Sequence, residues 1–363
     1  MRLSLPAPWR AGGGTGPWGA LALLLGLTCQ AHAAEGFKVR YPITGALGSE
    51  LTVFEPIPGT IASVALTFAD LTALNGNDGR TAWTPPVTNP AGVTQTAQVD
   101  FKQHQAVAQA YLGHVFALQA HADFVVVGVN VPYAVSVHRT LAFPAVRATR
   151  ADGSAAMPGA AYLASLAAQA KANNISTSGL ADIDLSLTWV HVEDRWKLGA
   201  GLSVGLPTGD FNSLPSGAPG TPAINVGTGR FYTFRPTSTL SYEATDRLTL
   251  GARAALGLNT VDTVDHWRSG DFWALELATV YRSAIGAFGT QLVAVKQFQD
   301  DSGGQSGSQP GGYGANRYGW LGAGAFYAMR VGSVGVNAGF TARLRAVNAI
   351  SGNLFQVRMS QLF

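Results

Sequence analysis

Five residues match the spacing of a serine nucleophile. Gly201-Leu202-Ser203-Val204-Gly205 has the G-x-S-x-G pattern, which functions at a sharp turn between a strand and a helix. Here the motif lies in the middle of an alternating segment, so Ser203 is expected on one face of a strand. A serine nucleophile also needs a nearby histidine, and the later histidines form no close-spaced group: His104, His114, His121, His138, His191 and His266. The motif therefore does not predict an enzyme, and no cofactor or metal site is expected.

A second set of reactive side chains consists of charged residues in segments that alternate between apolar and polar. Their parity places nine of them on the polar face: Asp184, Lys197, Arg235, Arg253, Glu276, Arg282, Arg343, Arg345 and Arg358. One interpretation is a network of salt bridges that braces a filled barrel. The other is a polar constriction that controls passage. Both interpretations need a closed sheet, because charges tolerated inside a barrel are costly on its lipid face.

The alternation itself predicts the sheet. From Val334 to Arg345 every second residue is apolar, and the residues between them are Gly, Asn, Thr or Arg. Leu248 to Asn259 repeats the pattern, which is the period of a β-strand. The polar face is mostly Gly, Ser and Thr, whereas a water-soluble sheet carries many Lys and Glu there. This composition favours the lumen of a membrane barrel.

The overall composition supports the same fold class. Charged residues are 12% of the 363 residues, while hydrophobic residues are 47% and Gly contributes 44. After the N-terminal segment no apolar run reaches the roughly 18 residues that a transmembrane helix needs. Removing the N-terminal Arg2 and Arg10 leaves 22 basic and 21 acidic residues, so no nucleic-acid partner is expected. Such a chain is typical of strands in which only every second side chain faces lipid.

Twelve strands are predicted, with fourteen as the alternative, in an all-β transmembrane antiparallel barrel over residues 61–363. Short spacers alternate with long polar ones, as periplasmic turns alternate with extracellular loops. The predicted strands are 61–69, 101–118, 123–140, 180–191, 195–207, 230–243, 248–262, 272–283, 287–299, 317–330, 334–346 and 354–363. The long spacers are 70–100, 144–179, 208–229, 263–271, 300–316 and 348–353.

Three segments are not expected in the barrel wall. Residues 1–34 have the positive charge, short apolar stretch and Ala-His-Ala pattern of a cleaved signal peptide, which predicts export to the bacterial outer membrane. Residues 35–60 contain three prolines among apolar residues and are predicted to enter or cap the periplasmic mouth, with a disordered tail as the alternative. Residues 155–173 are rich in Ala, Leu and Lys and predict a helical insertion in an extracellular loop.

Two features suggest partners in the outer membrane. The chain ends in Phe363 on an alternating strand, which is typical of barrels delivered to the barrel-assembly machinery. Six carboxylates lie in predicted outer loops, where they either bind divalent cations beside lipopolysaccharide or are simply solvated. They are Asp210, Asp262, Asp265, Asp271, Asp300 and Asp301. Outer-membrane lipid and lipopolysaccharide are therefore the expected surroundings.

The order of motifs from residue 178 onward resembles the outer-membrane proteins of the meta-pathway of phenol degradation, also described as transporters of aromatic compounds. The resemblance rests on SGLADIDLSLTW (178–189), WKLGAGLSVGLPTGDF (196–211), INVGTGRFYTFRPTSTLSY (224–242), LGLNTVDTVDHWRSGDFWALE (256–276) and VKQFQDDSG (295–303), with a weaker match at 35–61. The resemblance implies a monomeric barrel that passes hydrophobic or aromatic compounds. It leads us to expect a channel for passive uptake of a small hydrophobic substrate. The alternative is a structural or enzymatic barrel with a plugged lumen.

Overall fold

The computed structural model describes residues 56–363 except 77, 119–121, 211–225, 227–229, 264–265 and 304–316. In chain order the elements are β1 (Gly59–Asn75), β2 (Val87–Thr88), β3 (Thr94–Ala97), β4 (Asp100–Leu118), β5 (Asp123–Ala142), β6 (Val146–Thr149), α1 (Ala160–Asn173), β7 (Ile175–Leu180), β8 (Ile183–Glu193), β9 (Trp196–Leu206), β10 (Thr233–Glu243), β11 (Leu248–Asn259), β12 (Trp267–Arg268), β13 (Phe272–Ser283), β14 (Gly286–Gln297), β15 (Ser302–Gly303), β16 (Gly319–Val331), β17 (Val334–Val347) and β18 (Ala349–Leu362).

Twelve strands form one closed antiparallel sheet. Each long strand pairs with its neighbour in the chain, and β1 pairs with β18 to complete the circle. The closing register matches Ile61 with Leu362 and Phe68 with Phe355, and Thr60 and Phe363 exchange two backbone hydrogen bonds. The predicted twelve-stranded barrel is confirmed. Strand β5 pairs with β8 along one part of its length and with the short β7 along another part, so β7 extends the wall above β8.

The outer surface of the barrel is apolar. Large side chains on alternate strand positions are exposed, among them Leu187, Leu202, Leu277 and Phe340. Their intervening neighbours face the interior and are mostly small or polar. A surface of this kind is stable in lipid, because closure of the sheet pairs the backbone groups of neighbouring wall strands and the outward apolar side chains contact lipid rather than water. None of the helices in the described part of the chain is long and apolar enough to cross a membrane.

Two lengths of connection mark the two ends of the barrel. Tight turns join β8 to β9, β10 to β11, β13 to β14 and β16 to β17, and the outer-membrane pattern places such turns in the periplasm. Most connections at the other end are long. We call the two ends the periplasmic and the extracellular end.

The extracellular strands are longer than predicted. Strand β1 continues from residue 69 to Asn75, because Asp70 faces outward and its carboxylate oxygen lies 2.8 Å from Nδ1 of His104 on β4. The predicted loop 348–353 is wrong. Asn348 alone makes the turn, with a φ of 48°, and residues 349–353 already belong to β18. An asparagine tolerates this left-handed conformation better than most residues do.

The extracellular loops carry a small subdomain. Strands β2, β3 and β6 form a three-stranded sheet, and α1 packs on it through Tyr162 and Leu166 against Ala97. The Tyr162 hydroxyl is 2.8 Å from Oγ1 of Thr84, and burial raises the pKa of Tyr162. Helix α1 begins at residue 160 rather than at the predicted 155, because a proline precedes its N-terminal glycine and disfavours helical backbone before it.

Barrel closure predicts a specific behaviour in gels. We expect the folded protein to migrate differently before and after boiling in detergent, and to fractionate with outer membranes. The reason is that a closed sheet has no free edge from which unfolding can begin, so sodium dodecyl sulfate at room temperature leaves the barrel intact. Recovery of the chain as a soluble periplasmic protein with no heat-dependent shift would contradict a membrane barrel.

Candidate channel lumen

The structure turns eight of the nine predicted charged residues toward the interior. Four of the eight are more than nine-tenths buried, namely Lys197, Arg235, Glu276 and Arg358. The interior is therefore crowded rather than open to bulk water. Arg282 lies close to the periplasmic end, where 40% of its side chain is exposed. Arg343 lies near the extracellular end, where its guanidinium donates to Oγ of Ser351 at 2.6 Å.

Most of these charges are paired across neighbouring strands. Arg235 forms an ion pair with Asp184 and donates through Nε to Oγ of Ser203 at 3.2 Å. Arg253 pairs with Glu276, which is only 1% exposed.

A third group lies at the periplasmic mouth. Nζ of Lys197 is 3.0 Å from Oε1 of Glu243, and a nitrogen of Arg282 is 3.9 Å from the same oxygen. Pairing lowers the cost of desolvating these charges, so the ion pairs hold neighbouring strands in register.

Arg345 is the exception, and its predicted inward position is wrong. Strand β17 contains a register shift opposite Leu321 and Gly322, so that Leu344 has no partner of its own. The extra residue reverses the alternation after Phe340 and Thr341. Arg345 is exposed, whereas the next residue, Ala346, is buried in the interior. A β-bulge of this kind moves every later side chain to the other face.

A cavity of about 440 Å³ lies within the barrel. It begins near the periplasmic end, at Ser360 and Lys197. It extends toward the extracellular ends of β8 and β10, where Asp184 and Arg235 lie. Its walls combine hydroxyl, amide and charged groups with apolar side chains such as Ile61, Tyr111 and Val126. Among its lining residues, Gln109, Asn130 and Asn337 are more than nine-tenths buried.

Toward the extracellular end the interior becomes apolar. One buried cluster contains Leu71, Phe101 and Leu354 on the wall formed by β1, β4 and β18. A second cluster contains Phe272 and Val295 on the wall formed by β13 and β14. Trp320 packs against both clusters and so joins the two walls. The lumen therefore has an apolar layer above a cavity whose lining mixes charged, polar and apolar side chains.

Glycine makes room for aromatic rings inside the barrel. A methyl group on Gly257 would lie 2.0 Å from the ring of Phe272, and one on Gly289 would lie 2.1 Å from the ring of Phe326. Both distances are far below van der Waals contact, so each ring lies directly on the backbone of the neighbouring strand. This packing explains in part why the polar face of the sequence is rich in glycine.

The other chemical motifs of the sequence have structural partners. Ser203 lies in the middle of β9 and bonds to Arg235, not at a turn between a strand and a helix. Asp271 pairs with Arg268, and Asp300 pairs with Arg317. Asp265 lies outside the described residues.

The remaining loop carboxylates accept backbone N–H groups: Asp210 from Leu180, Asp262 from Arg230, and Asp301 from Gly270. Within the described ranges no three His, Cys, Asp or Glu residues are grouped in a way that would hold a metal ion.

Sequence reasoning concentrated on charges and missed the residues that shape the lumen. These residues could have been found from their positions in the alternating pattern. Gln109, Asn337 and Trp320 all fall on the inward face of their strands. Tyr111 was also missed; its ring covers Gly128 on the next strand.

The family model described as "Putative MetA-pathway of phenol degradation" matches residues 104–359. That range is more than half of the chain and contains most of the barrel. The chain belongs to this family. The resemblance inferred from the motifs is therefore confirmed. No curated protein sequence matches the chain significantly.

Solved structures with the same architecture are outer-membrane proteins. An outer membrane channel from Pseudomonas putida F1 is 13% identical, with a TM-score of 0.60 over 85% of this chain and 97% of that chain. The CymD monoaromatic hydrocarbon channel is 9% identical, with a TM-score of 0.40 over 93% and 98% of the two chains. The toluene transporter TbuX of Ralstonia pickettii is 10% identical, with a TM-score of 0.37 over 93% and 99%. The first of these structures supports the fold of an outer-membrane barrel.

Proposed function

We propose that this protein is a passive, diffusion-type channel for small hydrophobic compounds, aromatic ones included. The observation that carries the proposal is the two-part lumen, in which a cavity with a mixed lining of polar and apolar side chains lies below an apolar layer joined by Trp320. Membership of a family described by phenol degradation supports an aromatic substrate. The fold shared with a bacterial outer membrane channel supports transport rather than catalysis.

The apolar layer is the part of the lumen suited to select a substrate. A hydrophobic solute leaves water when it reaches Phe101, Phe272 and Trp320, and this transfer is favourable in proportion to the apolar area removed from water. The cavity beneath adds charged and hydroxyl groups to its apolar lining, and through it the solute reaches the periplasm. Net movement follows the concentration gradient, so the mechanism requires no energy source.

A barrel with a plugged lumen, serving a structural or enzymatic role, is the second candidate. The buried ion pair of Arg253 with Glu276 and the packing of Trp320 between two clusters favour it, because both fill interior space. The two candidates differ in whether solutes cross.

Uptake by intact cells tests the channel. Cells that oxidise toluene but lack their own outer-membrane route for it would be compared with and without this protein, at a low toluene concentration. We expect faster initial uptake with the protein, no effect of an uncoupler, and no difference once the outer membrane is permeabilised. Equal uptake by both strains with an intact outer membrane would contradict the proposed function.

We also propose that residues 35–60 enter or cap the periplasmic mouth. Residues 35–55 lie outside the described residues, but the segment leads directly to Pro56, which is buried and lines the cavity. Strand β1 begins three residues later at Gly59. A chain that enters β1 from the buried Pro56 starts inside the mouth, which supports this proposal.

Deletion of residues 36–55 is expected to raise single-channel conductance while the barrel still assembles, because the deletion removes material from the mouth and leaves every barrel strand intact. Conductance is measured in planar bilayers, and assembly by the gel shift on boiling. Unchanged conductance together with unchanged stability would show that the segment is only a tail.

The signal peptide at 1–34 lies outside the described residues, and its cleavage remains a prediction. Lipopolysaccharide around the extracellular end and delivery by the barrel-assembly machinery are also proposals. The second is supported by Phe363, which is exposed on the outer face at the end of β18 and follows the outward Val357 and Met359.

A further inference from the structure

Two cations face outward at the extracellular end of the barrel. Lys296 lies near the end of β14 and Arg345 near the end of β17, and both side chains are exposed. Neither side chain makes an ion pair or a hydrogen bond with any residue that the structure describes. The connection between β15 and β16 adds no acid, since residues 304–316 contain neither Asp nor Glu. The two cations therefore form a positive patch with no described carboxylate at ion-pairing distance.

The strand register fixes the spacing of the two cations. Lys296 is opposite Gly319 on β16, and Arg345 is opposite Leu321 on the same strand. Only β16 separates them, so their backbones are roughly 10 Å apart across the strands and roughly 7 Å apart along them. Both side chains are long, and Gly319 has no side chain to stand beside Lys296. At this spacing the two cations can contact phosphate groups of a single lipid headgroup.

The patch lies at the outer border of the apolar band. Lys296 is opposite Trp273 on β13, and Tyr281 is exposed near the periplasmic end of the same strand. The two aromatic residues are roughly 27 Å apart along the strand, which is roughly 20 Å along the membrane normal at the usual strand tilt. Outward Trp and Tyr side chains mark the headgroup regions of a membrane. Lys296 is therefore at headgroup depth in the outer leaflet, and Arg345 lies two residues deeper.

The bulge in β17 is what gives Arg345 its outward position. Without the extra residue at Leu344, strict alternation would turn Arg345 into the lumen on the same face as Arg343. Bulges often re-aim a side chain at a functional position. A cation on the outer face costs much at the bilayer midplane and little near the headgroups, where anionic lipid attracts it. The bulge thus adds a second positive charge beside Lys296 at a depth where both can meet phosphate.

Below the cations the outer wall is shallow. Ala294 lies two residues below Lys296 on β14, and Ala323 on β16 is opposite Ala342 on β17. All three alanines are half-buried on the outward face, and the larger Leu292 and Phe340 beside them are exposed. The methyl groups leave a recess between larger apolar side chains. A charged headgroup above and an apolar recess below match an amphiphile rather than a free anion.

We propose that Lys296 and Arg345 bind the phosphate groups of one lipopolysaccharide molecule in the outer leaflet. The guanidinium of Arg345 donates two parallel hydrogen bonds to one phosphate, and Lys296 contacts the other as a point charge. An acyl chain lies in the recess over Ala323 and Ala342. The site requires the extracellular end to lie in the lipopolysaccharide leaflet, as proposed, and does not depend on conduction.

Native mass spectrometry of the folded protein in a non-ionic detergent tests the occupant. The lipid probes are lipid A with two phosphates, lipid A with one phosphate, and phosphatidylglycerol, and inorganic phosphate is the competitor. We expect lipid A with two phosphates to bind at the lowest concentration, and lipid A with one to need about fivefold more. Phosphatidylglycerol that binds as tightly as lipid A would overturn lipopolysaccharide as the occupant. Displacement of lipid A by an equal concentration of inorganic phosphate would overturn a lipid site.

Substitution of each cation tests the residues. Arg345→Gln should weaken binding of lipid A about tenfold, the loss expected for a hydrogen bond to a charged ligand. Lys296→Gln should weaken it about fivefold, the loss expected for one cation at an anionic membrane surface. The matched control is Arg330→Gln, which removes an exposed arginine at the periplasmic end of β16 and should leave binding unchanged. Binding unaltered when both Lys296 and Arg345 are replaced would overturn the site.

The recess is tested by Ala323→Phe, which fills it and leaves both charges in place. We expect this variant to weaken binding of lipid A as well, and unaltered binding would overturn the contact with an acyl chain. Assembly of every variant is checked by the gel shift on boiling, so that a loss of binding is not a loss of folding.

The site and the channel fail in different ways. Binding is measured without current, so lipid A bound through Lys296 and Arg345 by a barrel that passes no current would retain the site and contradict the channel. Lipid A bound equally by the unmodified protein and the double variant would retain lipopolysaccharide as the surroundings and overturn the site. A conducting barrel that binds no lipid A would retain the channel and overturn the site.

Discussion

Replacing Leu277 by Arg is expected to destabilise the membrane-inserted barrel by about 2–4 kcal/mol. Leu277 faces outward at the middle of β13 and lies between Ala252 and Leu292 on the neighbouring strands, all on the lipid face. A guanidinium there lies near the bilayer midplane, where its desolvation is not offset by a partner. The measurement is the free energy of folding into lipid vesicles, followed by urea titration.

The matched control places the same charge on the other face. Thr237 lies at the middle of β10 and lines the luminal cavity, so Thr237→Arg adds a cation beside water and existing charges. We expect this variant to lose much less stability than Leu277→Arg. Equal losses at the two positions would mean that the outer face of the barrel is not in lipid.

Replacing Glu276 by Leu is expected to cost about 3–5 kcal/mol, because the change leaves the Arg253 guanidinium buried without its carboxylate. The double variant Arg253→Met with Glu276→Leu removes both charges and is expected to regain most of that loss. Unfolding in urea, followed by the gel shift, compares the three proteins. A single variant as stable as the unmodified protein would show that the ion pair does not brace the wall.

Much of the fold could be predicted because a barrel strand alternates for its whole length. The predicted segment 272–283 coincides with β13, and 123–140 lies within β5. The alternation depends only on neighbouring residues, so no long-range information was needed. Bounds were least accurate at the extracellular end, where polar residues such as Asp70 remain in strands that extend beyond the lipid.

Arg345 and the loop at 348–353 show where local patterns do not determine the structure. The bulge at Leu344 depends on how β17 pairs with β16, and this pairing cannot be inferred from the sequence of β17 alone. The residues Ser351, Gly352 and Asn353 are common in turns, yet they form a strand because Asn348 reverses the chain. Oγ of Ser351 also bonds to Oδ1 of Asn75 on β1, at 2.6 Å.

The set of residues that line the cavity was beyond prediction for a related reason. Asn337 and Gln109 line one cavity only because closure of the barrel places β18 beside β1. Parity indicates that each side chain points inward, but not which other side chains it meets.

The most direct test of the channel is the conductance of the purified, folded barrel in a planar bilayer. We predict discrete current steps from single molecules in KCl, and a larger conductance for Trp320→Ala, since this side chain joins the two apolar walls. Heat-modifiable protein that inserts into the bilayer yet passes no current, with or without Trp320, would contradict a channel and favour a plugged barrel.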